Sequence, residues 1–394
     1  MNDPQIPLAV CADRLLARLA GATGSQAIAA LDGQTLLGER ALLAGSRIPA
    51  RISAGGGCRL FDALDDTLAL NLARPDDRES LPALFESDTL DVGDDEAIAA
   101  AIAARHAGTL VARSRLLGLA IAAEHEAFPA GIAPCIELAR GAAAQPPPRA
   151  PRVVDLSALW AGPLASHLLW LAGAEVIKVE SRRRPDAMRE GDGEFYALLN
   201  QGKQSVALDF KDTTDLHALR SLIASADIVI EASRPRALAQ LGIDASAFVR
   251  DTPGLVWITI TGHGANGAAA DWVGFGDDCG VAAGLSAALH AASGRTGFVG
   301  DAIADPLTGV FAAVEAWQAW SSGCGARLGI AMSHVVAHAL TQARAEDADG
   351  FARQLRDWSA AAGQPFPEVR KRSIGPLPAF GEHTRSFLAR VARC

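Results

Sequence analysis

Paired cysteines are missing from this chain. Its six cysteines, Cys11, Cys58, Cys135, Cys279, Cys324 and Cys394, are scattered with no C-x-x-C pair, which argues against a disulfide framework and against a thiolate zinc site. Basic residues are also in deficit, with 36 Lys and Arg against 45 Asp and Glu and a formal net charge of -9. A nucleic-acid partner would need a strong local basic patch to overcome that field, whereas an anionic small ligand needs only a few cations. Long apolar runs are absent as well. The most apolar long window, Leu159 to Val179, is broken by Pro163, Ser166 and His167, and MNDPQIPLAV lacks the basic flank and apolar core of a signal peptide. The expectation is a soluble cytoplasmic protein with neither a nucleic-acid nor a membrane partner.

What remains is enough for a substantial core. The chain has 394 residues and a hydrophobic fraction of 49%, swollen by alanine but still rich in Leu, Ile, Val and Phe, and its length suggests two domains. The seam is RGAAAQPPPRAPR, whose three consecutive prolines favour an extended, solvated spacer. We therefore expect a small α+β domain over residues 1–145, a proline-rich linker over 146–152 and a large domain over 153–394. Before the seam, short strands Arg59 to Ala63 and Thr67 to Leu72 flank the turn signal DD. Helices follow, the last beginning at Asp94-Asp95, breaking near Gly108 and running on through GLAIAAEHEAF. After the seam the pattern changes. Strand Arg152 to Leu156, a helix entered through Gly162-Pro163 and ended by Gly173, and strand Glu175 to Glu180 form one βαβ unit; SVALDF, the helix Thr214 to Ser225, DIVIEA and LVWITIT continue the alternation. The fold class expected is α/β: a mainly parallel, Rossmann-like sheet flanked by helices, plus the smaller α+β domain.

Several motifs invite chemistry. VWITITGHGANG sets G-x-G-x-x-G after a strand, but Gly274 and Gly276 interrupt any helix behind it and Asp277 and Asp278 arrive too early for a ribose acid. A nicotinamide or flavin site is therefore not expected. His334 and His338 share a helical face, yet VVA between them supplies no base and no third ligand is evident, so no metal is expected. In IADPLTGVFAAVEAW a helix should start just after Asp305, with Asp305 as N-cap, Pro306 at the first position, and Val310, Val314 and Trp317 at helical spacing. Such a carboxylate, held ionised by the positive helix end, serves equally as a cap and as a nucleophile. The residues alone leave both readings open.

Taken together, VVDLSALWAGPLASHLLWLAGAEVIKVE, LNQGKQSVALDFK, ADIVIEASRPRALAQLG, LVWITITGHGANG, IADPLTG and GPLPAFGEHT, in this order, resemble the family III coenzyme A transferases, the CaiB/BaiF group that includes formyl-CoA transferase and is related to α-methylacyl-CoA racemase. The resemblance implies a transferase that moves CoA between an acyl-CoA and a carboxylic acid, with coenzyme A as its only cofactor-like molecule. It implies that Asp305 is the catalytic residue, passing through an aspartyl anhydride and an aspartyl-CoA thioester. Positions matching the family's CoA contacts are Trp160, Ala161, Ser181, Asn200, Gly202, Lys203, Ala232, Ser233, Arg234, Gln240 and Phe275, with Arg182 beside them. Ser181, Gln240 and Val273 stand where formyl-CoA transferase carries basic residues, leaving Arg182, Arg183, Arg184 or Arg236 to compensate. Phe275 occupies the position of the racemases' histidine and cannot move a proton, which puts an acyl-CoA racemase or isomerase behind transfer unless His263 or His290 substitutes; a non-catalytic acyl-CoA-binding homologue is a further alternative. The family inserts its small domain within the large one and forms interlocked ring dimers. Here ISAGGGCRLFDALDDTLALNLARPDDR resembles the start of that small domain placed ahead of the seam, so the domain order is expected to be permuted. That assigns Gly55, Gly56 and Gly57 to the family's glycine loop and implies a homodimer whose rings are not interlocked.

Overall fold

The computed structural model describes residues 4–126 and 131–391. Two sheets organise it. Strands β1 (Cys58–Asp62), β2 (Thr67–Asn71) and β3 (Ala120–Ala123) make a small antiparallel sheet. The large sheet holds β4 (Cys135–Arg140), β5 (Arg152–Asp155), β6 (Glu175–Ser181), β7 (Gln204–Leu208), β8 (Ile228–Glu231), β9 (Val256–Thr261) and β10 (Ala326–Ala331) in the order β4-β10-β9-β8-β5-β6-β7. All its pairings are parallel except β4 with β10. The α/β class expected from the alternating pattern is what the chain adopts, and β8 and β9 are buried at every residue because helices cover both faces.

The sequence pattern misses three strands. β3 falls where helix was expected to continue; Gly118, at φ 74, ends the helix Ala107–Leu117, and the small apolar run that follows pairs with β2. The preceding helix break comes at residues 104–106 rather than at Gly108, because Asp65 in the β1–β2 turn reaches across to accept the Ala107 N–H at 2.8 Å. A cap supplied by a distant element leaves no local signature. β4 escapes because CIELAR lacks a period-2 pattern, and β10 because its short alternation of Ala326, Leu328 and Ile330 with Arg327 and Gly329 stands alone; they become strands by pairing with each other and, for β10, with β9.

Two segments expected with the small domain pack with the large sheet. Helices Ala9–Thr23 and Gly33–Leu43 contribute Leu16, Leu19, Leu36 and Leu37 to the same core as the helices Ala161–Leu171 and Ala304–Ser321. β4 is an edge strand of the large sheet, and the chain beyond it runs along that edge, with Gly141 N–H on the Gly325 carbonyl and Ala144 N–H on that of Gly323. The residues around β1–β3 keep a core of their own, built on Leu68, Leu81, Phe85, Ile98 and Leu110.

Buried ion pairs tie the large sheet, its helices and the loops between them together. Lys203 Nζ lies 3.1 Å from Asp155 Oδ2 and also donates to Ser166 Oγ, Asn200 Oδ1 and the Pro163 carbonyl. Lys178 pairs with Asp186 at 3.1 Å, and Arg372 holds Glu39 through two bonds of 2.6 Å. Burial pushes Lys203 down to about 8, opposed by Asp155, whose own carboxyl is held well below the usual range by Lys203 and Lys178 against the effect of burial. Lys203→Met strands the Asp155 charge, which costs about 3–5 kcal/mol. Urea unfolding should show a loss of that order; a lysine whose work lies at a ligand phosphate would instead leave the unfolding midpoint where it was.

Candidate functional site

The strand order reverses between β5 and β8: the chain leaves β5 toward β6 on one side and returns to β8 on the other. In open α/β sheets that reversal leaves a crevice at the carboxyl ends of the strands, where ligands bind. Here it opens into a cavity of about 760 Å³. Its walls come from the chain after β5 (Leu156 to Trp160), after β6 (Ser181, Arg184 to Met188) and after β8 (Ser233, Ala237, Leu238), with Phe210 and Leu219 behind. Gly55, Gly57, Asn71 and Arg74 close it from the small-sheet side, and Asp305 with Asp277 lies inside.

Close helix packing decides where Asp305 stands. Gly309, one turn on, faces the start of the helix Ala161–Leu171, and a Cβ there would meet the Ala161 carbonyl at 2.8 Å and Leu164 Cβ at 2.9 Å. With hydrogen in its place the two helices touch, and the Asp305 carboxylate faces the backbone N–H groups of Ala161 and Gly276, which favour its ionised form. Each donor is the first residue of its own helix, so its amide has no intrahelical partner. Asp305 itself is not the N-cap expected from the sequence. The helix begins two residues earlier than expected, at Ala304, with Asp305 in its first turn and its own N–H on the Ala302 carbonyl. Ala302 sits at φ 42, a bend stabilised by Asp277 Oδ1 accepting its N–H at 3.1 Å. Tertiary contacts thus redirect the carboxylate from its own helix to two neighbouring ones.

Four charged groups share this space. Arg40, from the helix Gly33–Leu43, pairs with Asp301 and lies over the Trp160 ring at 4.7 Å. Burial pushes the Asp305 carboxyl up to about 7, with Asp278 adding to the rise and Arg40 and the two amides opposing it. Asp277 is also pushed up to about 7, by burial and by the neighbouring Asp301 charge, again with Arg40 in opposition. A carboxylate with a ready lone pair at neutral pH, two amides against its oxygens and an open cavity beside it can attack an electrophilic carbonyl.

Residues 151–362, more than half of the chain, match the profile of CoA-transferase family III. The chain belongs to that family. It is 33% identical over 188 residues to a succinate–glutarate CoA-transferase of Agrobacterium fabrum, covering 44% of this chain and 47% of that protein. Similarity to a succinyl-CoA–D-citramalate CoA-transferase of Chloroflexus aurantiacus is 32% over 179 residues, 42% of this chain and 43% of the relative. A formyl-CoA:oxalate CoA-transferase of Afipia carboxidovorans shares 27% over 242 residues, 56% and 55% respectively. The chain therefore spans about half the length of the curated relatives it matches. Among solved structures, a CaiB/BaiF family protein from Brucella suis aligns over 52% of this chain and 59% of its own, at 27% identity and a TM-score of 0.42.

The family's CoA-contact positions divide in two. Trp160, Ser181, Ser233 and Phe275 line the cavity, and Ala161 offers its amide to Asp305. Arg182, Asn200, Gly202, Lys203, Ala232, Arg234 and Gln240 are not among the lining residues. Lys203, expected to face a phosphate, is spent on Asp155 inside the protein. Of the arginines considered as replacements for the altered basic positions, Arg184 lines the cavity, Arg183 is paired with Asp209 and Arg182 lies 3.8 Å from Asp215. Gly55 and Gly57 are in the wall and Gly56 adopts φ 76. His263 is buried with Nε2 3.3 Å from Asp278, and His290 is bonded to Thr296, so neither lines the cavity. Arg40, Arg74, Asp277 and Asp301 were not foreseen. The doublet in GFGDD was visible, but nothing near Arg40 in the sequence distinguishes it from any exposed helical arginine.

A Cβ at Gly276 would overlap Asp305 Oδ2 and the Ala302 carbonyl. Gly276→Ala should therefore displace the carboxylate and lower kcat on the order of 10²-fold, as a displacement near 1 Å does, with the circular dichroism of the folded state retained. Asp277 yields a separate expectation from its raised pKa. Between about pH 4 and 7 the unfolded chain gives up this proton while the folded one keeps it, so stability falls as pH rises through that window. Asp277→Asn should raise Tm relative to the unchanged protein at pH 8, and the gap should close below about pH 4; thermal unfolding across pH checks both ends.

Proposed function

We propose that this chain moves CoA between an acyl-CoA and a carboxylic acid, with Asp305 as the covalent nucleophile. Above about pH 7 its carboxylate is ionised and attacks the thioester carbonyl. The C–S bond breaks, giving an acyl-aspartyl anhydride and CoA thiolate. The thiolate attacks the aspartyl carbonyl, the anhydride C–O bond breaks, and the donor acid leaves as its carboxylate. The acceptor carboxylate then attacks the aspartyl-CoA thioester, thiolate departs again, and its attack on the acceptor's acyl carbon forms the new acyl-CoA and restores Asp305. No proton or redox equivalent is consumed. What supports the reading is the placement of Asp305 against the Ala161 and Gly276 amides inside the cavity, where the same amides can steady the oxyanion that forms when the aspartyl carbonyl is attacked.

The rest of the cavity suits the coenzyme. Leu156, Leu159, Met188 and Phe210 present an apolar channel for a pantetheine arm. At one side partial burial, and after it repulsion from Arg74, Arg236 and Arg184, hold the Arg234 guanidinium below its ordinary value. Such a concentration of like charge is relieved by an anion, and the nucleotide phosphates of CoA are the natural candidates. Arg184 and Arg236 thereby replace the basic groups missing at Ser181, Gln240 and Val273. Glycines 55–57 shield the intermediates from water, and residues 55–123 stand in for the family's small domain in permuted order. In that arrangement glycine loop and nucleophile belong to one chain, and dimerisation, if it occurs, needs no interlocked rings.

Incubation with ¹⁴C-labelled succinate and a panel of acyl-CoAs should transfer label into thioester. Asp305→Ala and Asp305→Asn should abolish exchange, kcat of the unchanged enzyme should rise with pH through about 7, and hydroxylamine added during turnover should mark Asp305 by mass spectrometry. Unimpaired exchange in Asp305→Asn would remove the covalent proposal.

A further inference from the structure

Arg40 lies outside residues 151–362, on a helix that no family motif touches. Its side chain nonetheless reaches the cavity that holds Asp305. Nε donates to Asp301 Oδ2 at 2.8 Å and Nη2 donates to Asp301 Oδ1. The guanidinium also lies over Trp160, 4.7 Å from the ring centroid, and Asp301 is 1% exposed, so both supports are rigid. Nη1 carries no hydrogen bond among the described residues, and Asp301 is the group's ion-pair partner there. The Arg40 charge nevertheless acts on Asp277 and Asp305. A forked cation held along one edge by a buried carboxylate offers its remaining edge to a second one.

The chemistry calls for such a group. In the first half-reaction the anionic carboxylate beside the acyl group is Asp305; in the second, Asp305 is esterified to CoA through sulfur and the anion is the acceptor. One cation between them serves both. We propose that Arg40 anchors the carboxylate of the incoming acid against Asp305. This assignment rests on the transfer reading above. The same charge favours ionised Asp305 against the burial and the Asp278 charge that oppose it, while Asp301 and Asp277 are the other carboxyl groups in Arg40's field.

Two variants test it. Arg40→Gln combined with Asp301→Asn removes the ion pair without leaving a buried charge. It should raise KM for the acid roughly tenfold or more, the worth of a charge-assisted hydrogen bond, leave KM for acyl-CoA unchanged, and move the acid limb of the pH profile to higher pH. Arg40→Lys keeps the charge and loses the fork; the acid limb should stay in place while KM for the acid rises by less. An unchanged acid KM in either folded variant overturns the proposal. Calorimetric titration with succinate in an Asp305→Asn background, whose neutral side chain matches the thioester state, gives a readout independent of turnover: that protein should bind it, and the Arg40 variants made in it should bind it more weakly in the same order. Absence of binding, or binding indifferent to Arg40, also overturns the anchor. Arg40-dependent binding where the unchanged protein exchanges no label would retain the anchor and reject the transfer reading instead.

Discussion

Everything at the centre of this molecule depends on the contact between the helices Ala304–Ser321 and Ala161–Leu171. It is made backbone to backbone at Gly309, and it brings the unpaired amide of Ala161 onto the Asp305 carboxylate. The Gly276 amide completes the cradle, at a position where any side chain would collide with the carboxylate it binds. Two glycines that are far apart in sequence are therefore required by one side chain. The same contact joins the first helix of the βαβ unit to the core around Val310 and Val314, so the site and the fold share their packing.

Electrostatically the site opposes its own stability. Asp277 and Asp305 are both raised toward neutrality by burial, and Asp301 remains beside them. Arg40, already paired with Asp301, is the common counter-charge acting on both. Such an arrangement is unfavourable for folding and favourable for chemistry, since a carboxylate that is poorly solvated reacts more readily than one in water. The cost is offset elsewhere by fully bonded ion pairs such as Lys203 with Asp155, whose ligands are all within the protein. Four further cations near the site divide by role. Lys178 and Lys203 hold structure, whereas Arg184 and Arg236 stand exposed beside the cavity without a carboxylate partner among the described residues.

The large sheet's strands from β5 to β9 were legible in the residues alone, because their apolar runs alternate with helices bounded by Gly, Pro and Asp, and those are local signals. So was the family, through motifs that follow in order from Val153 to Thr384, most of them within residues 151–362, and so was the candidacy of Asp305. What Asp305 touches, that Lys203 is internal, that β3, β4 and β10 are strands, and that Arg40 enters the cavity emerged only in the folded chain. The physical reason is common to all four. Each depends on a partner remote in the chain, an amide of another helix, a buried carboxylate or a neighbouring strand, and a partner of that kind leaves no pattern among the residues on either side.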